Sequence, residues 1–164
     1  MLEEFSKHWE RIDVITPSVL THNSPFDSAQ GKQLITHFSN IFFHPSPHGL
    51  WYQPFWIAKK GTELIATHKH DVTTVHEYPP FYNGIGAHWL RKKTGIPGVL
   101  EIHHIVGYPV ASSFTEQIGA LLSRLWLKTD ASRFSAVRTV NAEVKNTLTQ
   151  WGVPADHISV VPSF

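Results

Sequence analysis

The chain of 164 residues contains no cysteine. That absence removes disulfides, thiolate nucleophiles and cysteine-ligated zinc together. It is compatible with the cytoplasm, which is the expected setting. Long apolar runs are lacking as well. Nothing approaches the roughly 18–20 residues that span a bilayer, and Met1-Leu-Glu-Glu-Phe-Ser-Lys-His-Trp9 reads as an amphipathic start, not a signal peptide. Charge of one sign is lacking too. Fourteen Lys and Arg stand against thirteen Asp and Glu, a formal net charge of +1, and the basic residues are scattered. No nucleic-acid partner is expected on that balance.

What is present is enough for a core. Apolar residues make up 41% of the chain, with six Trp and ten Phe. The length suits one ordinary domain, taken here as residues 1–164. Short apolar strands alternate with helical patterns. Strands are expected at Ile12–Thr16, Asn40–His44, Asp71–Val75, Val99–His103, Ala136–Val140 and Ile158–Val161. A short helix is expected over residues 2–9, and longer ones over Trp51–His68 and Phe81–Lys93. Ser113-Phe-Thr-Glu116 is a capping-box pattern opening another helix, with Ile118, Leu121, Leu122 and Leu125 at helical spacing. Asn141 caps a last helix that runs to Trp151 and is stopped by Gly152 and Pro154. Residues 18–39 carry weak periodicity and read mostly as loop. This alternation predicts an α/β fold, a Rossmann-like three-layer domain with a mainly parallel sheet and helices on both faces.

Three segments, in order, carry a resemblance. Asp71-Val-Thr-Thr-Val-His-Glu77 ends a strand in His and an acid. Gly95-Ile-Pro-Gly-Val-Leu-Glu-Ile-His103 is a turn followed by a strand ending in His. Ala136-Val-Arg-Thr-Val-Asn141, a helix, Gly152-Val-Pro154 and Ile158-Ser-Val-Val-Pro162 complete the set. Together they resemble the end of the N-terminal domain of retaining GT-B glycosyltransferases of family 4. The resemblance implies transfer of a sugar from a nucleotide-sugar donor to an acceptor hydroxyl. It implies no cofactor beyond that co-substrate, and places this chain on the acceptor side of an interdomain cleft. Two departures follow from the same comparison. The family's C-terminal, nucleotide-sugar-binding domain is missing from these residues. So are its opening strand and Gly-rich turn, which family order places centrally in the sheet. The resemblance therefore implies a partial domain, with catalysis dependent on parts not encoded here.

Ligands of open α/β sheets bind outside the carboxyl ends of the strands. Two such ends stand out. By position, His103 matches the family histidine near the transferred sugar, and is the expected catalytic residue. His76 and Glu77 match cleft-facing positions, and Tyr78 adds an aromatic face for sugar C–H groups. Glu101 and His104 complete the expected substrate-binding set. Each has a plainer reading. A strand-end histidine can be satisfied by a backbone carbonyl, and a mid-strand glutamate is costly to bury unless paired. Gly84 and Gly86 suit helix-on-sheet packing better than ligand approach, and one GxG is no dinucleotide fingerprint. The stripe Trp51, Phe55, Trp56 and Ile57 reads as core; any exposed remainder would dock the missing domain or a membrane-associated acceptor. His44, His68 and His70 offer a metal alternative, a histidine-based hydrolase. Neither His-x3-His nor HExxH spacing occurs, so no metal is expected. A non-catalytic carbohydrate- or nucleotide-binding α/β module is the second alternative.

Overall fold

The computed structural model describes residues 7–17, 40–107 and 113–162. The expected helix at residues 2–9 and the stretch 18–39 lie wholly or mostly outside them. Among these residues six strands and four α-helices follow in order: β1 (Ile12–Thr16), β2 (Ile41–Pro45), α1 (Gln53–Thr67), β3 (Thr73–His76), α2 (Tyr82–Thr94), β4 (Gly98–Ile102), α3 (Phe114–Arg133), β5 (Ala136–Thr139), α4 (Ala142–Gln150) and β6 (Ile158–Val160). Each strand pair is parallel. The α/β alternation is therefore as the sequence predicts, with boundaries moved by one or two residues. One shift matters. β4 ends at Ile102, so His103 and His104 lie past the strand and not within it.

The pairing is divided. β1 joins β2, while β3, β4, β5 and β6 form a separate run in that order. β1 and β3 each end a set and keep one unpaired edge among the described residues. β4 and β5 are the inner strands of the larger set. Leu100, Glu101 and Ile102 are all buried. Successive strand residues face opposite sides, so β4 is covered on both. Leu100, Ile102, Val137 and Ile158 meet Leu127, Ala131, Val144 and Leu148 from the helices in one core.

Local chemistry explains the helix ends. Ser113 Oγ accepts the Glu116 N–H at 3.2 Å, and Asn141 Oδ1 accepts the Val144 N–H at 2.8 Å. α2 ends on Gly95 at φ 74°, a left-handed position that favours glycine. α1 and α2 approach closely through two glycines. A Cβ on Gly61 would stand 2.6 Å from Leu90 Cδ2, and one on Gly86 would stand 2.8 Å from the Pro54 carbonyl oxygen. The cost of glycine within these helices is thus offset by packing, but of helix on helix at Gly86 and not of helix on sheet as expected.

Two apolar patterns face outward. On α3, Ile118, Leu121, Leu122 and Leu125 are exposed, and the buried positions are Ser123, Leu127, Asp130 and Ala131. Helical spacing predicts the helix correctly but not the face it buries. Trp51 and Phe55, expected in the core, are 66% and 53% exposed, whereas Ile57 is buried. Trp51, Tyr52, Phe55 and Trp89 form a row of ring contacts along this surface.

A polar clip ties β1 to the rest. The Asp13 carboxylate is 4% exposed. Arg11 Nε donates to Oδ2 at 2.6 Å, while His44 Nε2 lies 2.7 Å from Oδ1 and His70 Nε2 2.9 Å from Oδ2. Burial alone would raise the Asp13 pKa, but these bonds outweigh it and hold the carboxyl well below its ordinary range. Two of the histidines considered as metal ligands thus serve one carboxylate. We expect Asp13→Ala to cost about 2–3 kcal/mol, because it strands three polar groups that are largely shielded. Urea denaturation measures this, and a loss below about 0.5 kcal/mol, within the ordinary range of surface substitutions, would show the clip to be idle. Gly86→Ala should cost about 1–3 kcal/mol by overpacking the helix pair. A neutral result in the same assay would show that the helices yield instead.

Candidate functional site

Parallel register builds the site. His76 on β3 pairs with Glu101 on β4, and Glu101 pairs with Arg138 on β5. The three therefore form one row near the carboxyl ends of adjacent strands. The Glu77 N–H donates to the Glu101 carbonyl at 3.0 Å, and Asn83 Nδ2 donates to the His76 carbonyl at 2.9 Å. Both bonds fix the end of β3. Glu101 is 8% exposed. His76 Nε2 stands 2.7 Å from its Oε2, and Arg138 Nη1 donates to its Oε1 at 3.1 Å. These partners satisfy the condition for burying a mid-strand glutamate. The His76 hydrogen bond, helped by the nearby Arg138 charge, outweighs desolvation and holds the Glu101 pKa down to about 2.

His103 completes the group from just beyond β4. Its Nε2 lies 3.5 Å from Glu101 Oε2, and the His76 and His103 rings are 4.1 Å apart in an edge-on arrangement. His76 and His103 remain 60% and 38% exposed at the side chain. The site is thus a carboxylate set into the sheet beneath two accessible imidazoles. It can donate and accept hydrogen bonds at one point on the surface. Tyr78 is 47% exposed and His104 is exposed, the latter outside this group of contacts.

Glu77 is placed differently. It is 5% exposed, and its carboxylate turns inward. The Tyr78 N–H donates to Oε1 at 2.9 Å, and the Gly84 N–H donates to Oε2. Glu77 therefore caps the start of α2, where a carboxylate is favoured. Phe81, the residue ahead of this helix, holds a left-handed φ of 68°, and its ring is buried and stacked on Trp126. A second acid faces Glu77. A Cβ on Gly84 would collide with both Glu77 Oε2 and Asp130 Oδ2. Asp130 is fully buried, with neither carboxylate oxygen hydrogen-bonded and Arg133 no nearer than 3.8 Å. Burial, against two backbone N–H bonds and together with the Asp130 charge, pushes the Glu77 pKa up to about 8. Burial likewise raises Asp130 to about 6, opposed by Arg133.

The family model for Glycosyltransferase Family 4 matches residues 1–164. The chain belongs to that family. Similar solved structures include the UDP-GlcNAc 2-epimerase of Neisseria meningitidis bound to UDP-GlcNAc, with 13% identity and a TM-score of 0.51. The UDP-GlcNAc 2-epimerase of Methanocaldococcus jannaschii is similar at 15% identity and a TM-score of 0.50. Each match covers 92% of this chain and 45% of the other. The chain thus spans less than half the length of these proteins, and the likeness is one of fold. No curated protein sequence matches it. This is a glycosyltransferase-like domain with the Rossmann-like α/β fold of the GT-B type.

Sequence reasoning found His76, Glu101 and His103 separately. It missed Arg138, whose only signal is its place in β5, and Asp130, a lone acid among apolar positions of a helix. Asp130 yields a test. Its pKa is raised on folding from 3.8 to about 6. The folded state therefore binds the proton more tightly, and the stability it gives is full below about pH 4 and lost as pH rises through about 6. Asp130→Asn should leave stability near pH 4 almost unchanged and raise it at pH 8 by roughly 2–3 kcal/mol. Urea titrations across that range check the sign. An equal shift at both ends would show that the carboxyl is not the cause.

Proposed function

We propose that this chain forms the acceptor side of the cleft of a retaining glycosyltransferase, which moves a sugar from a nucleotide-sugar donor to an acceptor hydroxyl. One observation carries the reading most: His76, Glu101 and His103 converge at the carboxyl ends of adjacent parallel strands. Sugar recognition needs such a set, in which fixed donors and acceptors face water beside an aromatic surface. His103 is the catalytic residue of this proposal and donates a hydrogen bond from its imidazole to the transferred sugar. His76 and Glu101 orient the acceptor hydroxyl, and Tyr78 offers its ring to a C–H face. Exposed His104 borders the same mouth. Glu77 acts at one remove, by capping α2 behind the strand end.

The donor belongs to a second, nucleotide-sugar-binding domain, and residues 1–164 form the partial first domain. The outward apolar stripe of α3 gives that partner a surface to cover. No helix among the described residues is long and apolar enough to cross a membrane. We place the assembled enzyme in the cytoplasm, with which a cysteine-free chain agrees.

The test uses the chain joined to a family nucleotide-sugar-binding domain. His103→Ala should lower kcat about 100-fold with a small change in KM, because a donor acting on developing charge stabilises the transition state more than the ground state. Glu101→Gln should raise the acceptor KM. Wild-type kcat in His103→Ala would sink the assignment. The chain alone should bind acceptor sugar in NMR titrations and show no turnover. Saturable binding without turnover even in the assembled form would support the binding-module alternative.

A further inference from the structure

His103 Nε2 is sealed from solvent and has no hydrogen-bond partner. The 3.5 Å to Glu101 Oε2 is beyond hydrogen-bond range. A shielded, unpaired imidazole nitrogen costs free energy unless something outside the protein completes it. Around it, one ligand atom each from His76, Glu101 and His103 lies within 4.8 Å of the other two. We infer that these three residues form a binding site for a divalent transition-metal ion.

Donor chemistry selects the ion class. Two imidazole nitrogens and one carboxylate oxygen suit zinc, cobalt or iron(II), and not the all-oxygen shells of calcium or magnesium. Three protein ligands leave a position open, the pattern of reactive and not of purely structural zinc sites. Spacing agrees. Ligands at bonding distance around a tetrahedral ion stand about 3.3 Å apart. His103 Nε2 and Glu101 Oε2 already do so, at 3.5 Å. His76 Nε2, at 2.7 Å from the same oxygen, must move out by about half an ångström. It must also carry its proton on Nδ1, leaving Nε2 free to bind.

The surroundings support the ligands. Arg138 occupies Glu101 Oε1 and leaves Oε2 for the ion, as outer partners of metal-binding carboxylates do. Its positive charge also offsets that of the carboxylate and weakens the pull of the site on a cation. His103 Nε2 is shielded, but the His76 ring beside it is 60% exposed and supplies the entry path, with water as the fourth ligand. Linear spacing could not reveal this set, because it arises from strand register. The inference does not depend on sugar transfer, and its test contains neither sugar nor nucleotide.

The test is titration of the purified chain with Co²⁺, followed by visible absorption, and competition with Zn²⁺. We expect one equivalent bound with the ligand-field bands of a four- or five-coordinate nitrogen–oxygen site. His76→Gln, His103→Gln and Glu101→Gln should each weaken binding at least about tenfold. His48→Gln, on an exposed residue away from the site, should not. The two imidazoles are accessible, so their variants keep the test valid if Glu101→Gln disturbs folding. Absence of stoichiometric binding overturns the site. So does one-equivalent binding that survives both histidine substitutions.

Discussion

Burial of the Glu101 carboxylate is the constraint on which the site end of the sheet depends. A charged group inside a parallel sheet is tolerable only with partners on both sides. Register provides them: His76 from one neighbouring strand and Arg138 from the other. The arrangement joins three strands through side chains at the level where their backbone ladder ends. It also orients the carboxylate, with one oxygen toward Arg138 and one toward the imidazoles. Stability and recognition are thus produced by the same contacts. Removing the carboxylate would loosen the strand ends and erase the focus of the site together.

A second pair of acids lies on the other side of the β3 end and is kept away from water. Glu77 organises the first turn of α2, and Asp130 intrudes from α3 without a hydrogen-bonding partner. Burial disfavours the ionised state of both, and the Asp130 charge adds to this at Glu77. Adjacent residues thereby acquire opposite roles. The His76 side chain reaches the solvent-facing group, while Glu77 holds the framework behind it. Alternation along an extended chain makes this possible, because successive side chains leave on opposite faces.

Elements with a local cause were legible in the sequence. Ser113 and Asn141 cap helices as their residue types predict, Gly95 and Gly152 end helices in left-handed conformations, and short apolar runs become buried strands. Features that depend on which strand lies beside which were not. The approach of His76 to His103 spans 27 positions of chain and follows from the β3–β4 ladder. The Asp13 clip joins residues up to 57 positions apart. The outward stripe of α3 shows a related limit: periodicity defines an apolar face, but another surface must decide whether that face is covered. Glu77 read as a cleft-facing partner of His76, whereas the turn into α2 folds its carboxylate inward onto the Tyr78 and Gly84 N–H groups.

The divided sheet carries a dynamic consequence. β4 and β5 are hydrogen-bonded on both sides and sit in the core, so their amides can open only with the main body. Among the described residues β1 and β2 form a ladder with each other and not with the four-stranded set, which they reach through α1, the Asp13 carboxylate and Ile15 packed on the core. Protein regions open in cooperative units whose free energies follow such connections. The two-stranded ribbon is therefore a separate unit of local opening. It can part from the four-stranded set by losing side-chain contacts, without breaking a single rung between β3 and β6.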